Sequence, residues 1–346
     1  MFGKIQKSIL ALALVTGFAS AGAASAETLI NGAGATFPYP IYSKWFSEYA
    51  KVDPSVKFNY QSIGSGGGIK QITEQTVDFG ASDKPLSDQE LGAAAAAGGK
   101  LLHIPTVMGA VVVTYNIPGV GKGLKLTADG LTDIYLGKIK TWNDPRLVKD
   151  NPQLKSVNKP IIVVHRSDGS GTTAIFTSYL CSVSLEWTRK VGTGTSVKWP
   201  AGLGGKGNEG VAGQIKTTGY TIGYVELAYA FENKLPVAFL KNKSGTFVEP
   251  TIASTSAAAA GAAKQMPADY RISLVNQPGK NAYPIAGFTY LLVYEHQKDA
   301  TKGKKLVEFL NWELKKGQKM AAALLYAPLP ANVARMVEKT VKTIKY

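Results

Sequence analysis

The chain has 346 residues, 45% of them hydrophobic and 18% charged, enough apolar material for one large or two ordinary domains, so a disordered or fibrous chain is excluded. Cys181 is the only cysteine, which rules out an intramolecular disulfide and with it a small stapled scaffold. The formal charge is +15, but the lysines are spread, with only short clusters such as Lys302, Lys304 and Lys305; no basic block with interleaved aromatics marks a nucleic-acid binder.

At the N-terminus, Lys4 and Lys7 precede an apolar run from Ser8 to about Ala21, and Ala24-Ser25-Ala26 follows. This is the pattern of a secretory signal peptide covering residues 1–26, cut between Ala26 and Glu27. The run is short for a membrane span, and no later stretch approaches the ~20 apolar residues of a membrane helix. The expectation is a soluble, periplasmic protein. Loss of Lys4 and Lys7 leaves a mature charge of +13, which can draw anions in or simply keep the chain soluble.

Strand and helix patterns then alternate, which favours an α/β class. Three junctions share one arrangement. Thr28 to Asn31 reads as a short strand, followed by Gly32-Ala33-Gly34-Ala35-Thr36-Phe37-Pro38 and a helix through Ile41, Trp45 and Tyr49, with Pro38 suited to its first position. Val56 to Gln61 alternates like a strand, and Gly64-Ser65-Gly66-Gly67-Gly68 leads to a helix through Ile69 and Ile72. Ile161 to Val164 is a β-branched strand, and Arg166-Ser167-Asp168-Gly169-Ser170-Gly171-Thr172-Thr173 leads to a helix through Ile175 and Tyr179. Such a junction aims free backbone N–H groups and the positive end of a helix at one spot. Glycines let the backbone approach closely and hydroxyls add donors, so each is an anion-binding device. One alone is explained by ordinary helix capping; three in a basic chain are not.

Between them, Ser87 and Glu90 form a capping box for a helix running into the Ala/Gly-rich segment Leu91 to Gly99. Ala253 to Ala263 reads as a surface helix or loop. Cys181 continues the apolar pattern of Phe176, Tyr179 and Leu180 and reads as a packed helix residue.

Catalytic and cofactor motifs are wanting. Gly64 to Lys70 fails the phosphate-loop pattern, because Ile69 stands where its second glycine belongs. Gly202 to Gly207 matches G-x-G-x-x-G but follows Trp199-Pro200 rather than a clear strand, and reads as a turn-rich loop. His103, His165 and His296 have no metal-ligand spacing. Ser170, His165 and Asp168 crowd into one loop, which is not the geometry of a catalytic triad. No metal, cofactor or catalytic residue is expected.

Two charged residues remain. Arg166 is one of five arginines among 39 basic residues. A guanidinium grips two oxygens of a tetrahedral oxyanion at once, and Asp168 can hold it in place; the alternative is a surface ion pair. Asp83 ends the strand-like run Val77 to Ser82, where α/β proteins bind ligands; the alternative is a helix N-cap. A carboxylate in an anion site makes sense if the anion carries a proton. Phosphate keeps one near neutral pH, and an ionised Asp83 accepts a hydrogen bond from it. Fully ionised sulfate has none, and opposed lone pairs would cost about 1–3 kcal/mol or more.

Together, Gly32 to Pro38, Gly64 to Gly68, Asp78 to Asp83 and Arg166 to Thr172 resemble the phosphate-site segments of the periplasmic phosphate-binding proteins of bacterial phosphate ABC transporters. Leu136 to Ile139, Lys198-Trp199-Pro200, Leu203 to Asn208 and Tyr326 to Pro330 extend the resemblance over nearly the whole mature chain. The resemblance implies a type II periplasmic binding protein fold, with two α/β lobes of mixed sheet flanked by helices and joined by a two-segment hinge. It implies phosphate held in the cleft between them and delivery to the inner-membrane permease. Carried over residue by residue, Thr36 and Phe37 would donate to phosphate from the first loop, with Ala35 beside them. Ser65 would donate from the second, Asp83 would accept the phosphate proton, and Arg166 would pair with the anion and with Asp168. Ser170, Gly171 and Thr172 would donate from the third helix start.

Lobe one is expected over residues 27–105 plus 284–346 and lobe two over 106–283, with Thr106 to Asn116 and Tyr283 to Tyr294 as crossing strands. A monomer without nucleic-acid partners is expected. The chain departs from the family pattern at Lys84, where a small neutral residue is usual, at His165, and at Gly66 in place of serine. The rival expectations are a receptor for sulfate or molybdate, which Asp83 disfavours, and a secreted phosphatase, which lacks an activated nucleophile or metal cluster.

Overall fold

The computed structural model describes residues 27–346; the signal-peptide expectation lies outside the described residues. The first third of the chain alternates β1 (Thr28–Gly34), α1 (Tyr39–Tyr49), β2 (Val56–Ser62), α2 (Ser65–Thr73), β3 (Phe79–Ser82) and α3 (Asp88–Gly98) before the long strand β4 (Leu101–Asn116). The middle third runs through β5 (Lys125–Leu126), α4 (Ala128–Tyr135), α5 (Pro145–Val148), β6 (Ile162–Arg166), α6 (Gly171–Val183) and α7 (Leu185–Lys190). It continues with β7 (Leu203–Gly205), α8 (Gly207–Thr217), β8 (Thr221–Glu226) and α9 (Leu227–Glu232). Then come β9 (Phe239–Lys241), β10 (Phe247–Val248), α10 (Ile252–Ala262), β11 (Ala286–Tyr294), α11 (Ala300–Lys315) and α12 (Ala331–Val341). The α/β class and the mixed sheet flanked by helices are as the sequence implies.

Eight strands form one sheet in the order β2-β1-β3-β11-β4-β8-β6-β7, and β10-β9-β5 form a small second sheet. β1 pairs in parallel with β2 and β3, and β6 in parallel with β7 and β8. The two parallel groups meet through the antiparallel strands β11 and β4. β4 is buried at every position but its last, as a strand covered on both faces must be. Its first part, Leu101 to Ala110, pairs with β11, and Val111 to Asn116 pair with β8. One strand of roughly 50 Å therefore runs through both halves of the sheet.

Each half has its own aromatic core. On one side Phe46, Phe58, Tyr60, Phe79 and Phe309 pack together, with Phe46 and Phe58 stacked at 4.6 Å. On the other, Phe176 stacks on Tyr224 at 4.2 Å beside Tyr135, Trp187 and Trp199. Offset and edge contacts of this kind add about 0.5–1.5 kcal/mol per pair beyond area burial.

Local expectations hold with shifts. Ser87 and Glu90 do make the capping box of α3. The first helix starts at Tyr39, with Pro38 as its N-cap residue. α2 begins at Ser65, so the glycines expected in a loop form its first turn; they let it lie against the backbone of β1 and β3. α10 is the surface helix expected there: Ser254, Ala258, Ala259 and Ala262 are buried along one face, while Ala253, Ala260 and Gly261 are exposed. Residues 202–207 are not a mere turn-rich loop, since Leu203–Gly205 pairs with β6 and α8 starts at Gly207. Two glycines in three residues hide strand propensity.

Candidate functional site

The three glycine-rich junctions meet between the two halves. Thr36 and Phe37 follow β1, Ser65 opens α2, Asp83 follows β3, Arg166 ends β6, and Ser170 caps α6. All are buried, as are Ala35, Gly171 and Thr172. Every residue expected to touch the anion thus lies in one enclosed region. The amide of Ala35 is committed to the Ala81 carbonyl at 3.0 Å and that of Ser170 to the Thr195 carbonyl at 2.8 Å. These two residues therefore offer no free backbone N–H. Among the described residues, the amides of Thr36 and Phe37 meet no acceptor.

Direct bonds stitch the halves across the site. The Gly171 amide donates to Ser65 Oγ at 3.0 Å, and the Gly66 amide to the Gly169 carbonyl at 2.9 Å. Tyr229, on α9, donates its hydroxyl to the Thr36 carbonyl at 2.6 Å. The approach is close enough to demand glycine. A Cβ on Gly171 would lie 2.4 Å from Ser65 Oγ and 2.5 Å from Asp83 Oδ2. Gly64 has φ +87°, and a Cβ there would meet Asp168 Oδ2 at 2.4 Å.

Charge is arranged around this contact. Arg166 is held by Asp168 at both ends, Nε to Oδ1 at 2.7 Å and Nη2 to Oδ2 at 2.5 Å, the bidentate geometry that fixes a guanidinium plane. Burial raises the Asp168 carboxyl, but the Arg166 bonds and charge and the Gly207 amide, at 3.0 Å, outweigh it and hold it below the usual carboxylate range. Asp83 is the opposite case. Burial pushes its carboxyl up to about 7, against the lowering by the Thr289 hydroxyl, the Arg166 charge and Ser65. Its Oδ2 lies 3.4 Å from Ser65 Oγ, whereas Oδ1 is buried with no partner. A buried acceptor with no donor is costly, about 1–3 kcal/mol; the Thr289 hydroxyl, itself buried without a partner, is the resident donor beside Asp83, and the carboxylate retains capacity for a further donor.

Of the departures from the family pattern, Lys84 pairs with Glu90 at 2.6 Å. His165 stacks on Trp199 at 4.8 Å, and burial lowers its pKa. Gly66 packs against Gly169. None adds an ionised group to the site.

The sequence reading missed the fourth junction. α8 brings Gly207 to Asp168 and places the fully buried Asn208 between the halves. Asn208 Nδ2 donates to Thr36 Oγ1 at 2.7 Å and to Thr172 Oγ1 at 3.3 Å. The signal was present as a further strand, glycine loop and helix start, obscured by the glycines of the strand itself. The assembled site offers hydroxyl and amide donors, one fixed guanidinium and one free carboxylate oxygen. That set is complementary to a small oxyanion bearing a proton. Among the described residues, no cluster of His, Cys, Asp and Glu could hold a metal ion.

A PBP superfamily domain matches residues 20–314. The phosphate-binding protein PstS of Pasteurella multocida is 47% identical over 315 residues, covering 91% of this chain and 90% of that protein. The phosphate-binding protein PstS of Haemophilus influenzae is 46% identical over 315 residues, covering 91% and 92%. Among solved structures, a high-affinity periplasmic phosphate-binding protein with phosphate bound has a TM-score of 0.70 at 25% identity, covering 90% of this chain and 93% of that one.

Proposed function

The chain belongs to the PBP superfamily and, within it, to the phosphate-binding protein PstS family, and from that premise we propose that it captures inorganic phosphate in the periplasm and delivers it to the permease of a phosphate ABC transporter. The observation that carries this reading is the buried Asp83 carboxylate beside a fixed guanidinium and converging donors. A carboxylate facing an anion is repulsive unless the anion supplies a proton between them.

In this reading Thr36 and Phe37, Ser65, Arg166 and Thr172 donate to phosphate, joined by the Ser170 hydroxyl; the Gly171 amide, expected to donate as well, is instead committed to Ser65 Oγ at 3.0 Å and orients that hydroxyl. Asp83 accepts the phosphate proton, and Asp168 holds Arg166. Ala35 shapes the first loop. Residues 27–105 plus 284–346 form one lobe and 106–283 the other, and phosphate draws them together because each supplies donors. Export is supported by the leader pattern of residues 1–26. The chain acts as a binding protein and not as a phosphatase.

Calorimetry with phosphate and with sulfate tests the reading. Phosphate is expected to bind about 100-fold or more tightly than sulfate, the consequence of one unpaired buried acceptor and repelled lone pairs. Equal or tighter sulfate binding would end it. Release of phosphate from a chromogenic ester by the pure protein would revive the phosphatase.

A further inference from the structure

Resting on the phosphate reading above, we propose that Asn208 is a positioning residue that sets the polarity of the site: it fills the lone pairs of the Thr36 and Thr172 hydroxyls, so that both can only donate toward the anion. The orientation of the Asn208 amide follows from its neighbours. The Glu226 amide N–H donates to Oδ1 at 3.0 Å, and a backbone N–H cannot accept, so the Nδ2 end must face the threonines.

Thr36 Oγ1 receives Asn208 Nδ2 at 2.7 Å and the Asn208 backbone amide at 3.2 Å. A hydroxyl has two lone pairs and one proton. Here both lone pairs are taken by groups that only donate, and the proton is left for a third partner. Thr172 Oγ1 is loaded in the same sense but at longer range, by Asn208 Nδ2 at 3.3 Å and Arg166 Nη1 at 3.4 Å. Backbone amides do the same elsewhere. Ser65 Oγ receives the amides of Asp83 at 3.2 Å and Gly171 at 3.0 Å, whereas Ser170 Oγ receives only that of Thr173 at 3.0 Å and keeps one lone pair.

The consequence is selective. A hydroxyl free to rotate can accept the proton of a phosphate P–OH as readily as it donates. Hydroxyls with both lone pairs filled cannot, which removes Thr36, Thr172 and Ser65 as acceptors and leaves Asp83 as the charged acceptor for that proton. Asn208 thereby keeps the proton test at Asp83 unambiguous, although it serves the anion only through the threonines. It also joins Thr36 of one half to Thr172 of the other, so the lock forms as the halves meet.

Calorimetric titration with inorganic phosphate tests this on the wild type, N208L, T36V and the double variant. N208L is expected to weaken binding by about 10–100-fold, the effect of a misdirected donor to a charged group. In the T36V background the same change should cost about threefold or less, because the main hydroxyl it orients is gone. N208D puts an acceptor where Nδ2 stood, so it should be the weakest binder near neutral pH, and its deficit relative to wild type should shrink as pH falls and that carboxyl protonates. N208D also carries the test if N208L does not fold. Equal costs of N208L in the two backgrounds, or an N208D deficit that does not change with pH, would overturn the inference while leaving the phosphate reading intact. A wild type that binds no phosphate would overturn both.

Discussion

In the proposed site Asp83 and Arg166, both buried, have opposite tasks toward one ligand. With its carboxyl pushed up to about 7, Asp83 titrates where the physiological anion does. Above that pH it is ionised and accepts from a P–OH; below it the neutral acid becomes a donor. Sulfate affinity should therefore rise as pH falls from about 8 to about 6, and D83N should abolish that slope, because an amide does not titrate there. A flat sulfate profile in the wild type would show that Asp83 does not face the anion. At Arg166, R166K exchanges a planar two-point grip for a single ammonium and should cost about 10–100-fold in phosphate affinity. D168N should cost less, about tenfold or under, since losing the brace is offset by removing a negative charge near the anion. A larger loss in D168N than in R166K would contradict this division of labour.

At the scale of elements, the site is made from strand ends and helix starts brought within van der Waals contact. Gly171 is the sharpest case, because its φ is unremarkable and only the facing residues forbid a side chain. G171A should leave the ligand-free melting temperature almost unchanged, as alanine is a good helix residue. It should weaken phosphate binding by about tenfold or more, because the Cβ would push against Ser65 and Asp83 of the other half. Equal affinity in G171A would mean the halves need not meet this closely. The three junctions carrying Thr36, Ser65 and Ser170 were legible in the sequence, because glycine, hydroxyl and helix periodicity sit in local order. The fourth was not. The strand Leu203–Gly205 lacks the side chains that announce a strand, and the buried position of Asn208 depends on contacts with residues 36, 172 and 226, which no local pattern encodes. The pairing of Lys84 with Glu90 was equally hidden, being one of several ways a lysine near a cleft can point.

Over the whole molecule, β4 joins two aromatic cores that otherwise belong to separate halves of one sheet. The class could be read from the alternation of elements, and the mixed sheet and two-lobed form from the family resemblance. A crossing strand was expected over Thr106 to Asn116; that it begins at Leu101 and changes partner at Val111 was not, since neither leaves a mark in an evenly apolar run. If donors from both halves grip the anion, binding and closing are one event. Small-angle scattering of the wild type with and without saturating phosphate tests it most directly. A smaller radius of gyration is expected with phosphate, and no such change with sulfate at the same concentration. An unchanged radius with phosphate demonstrably bound would contradict it.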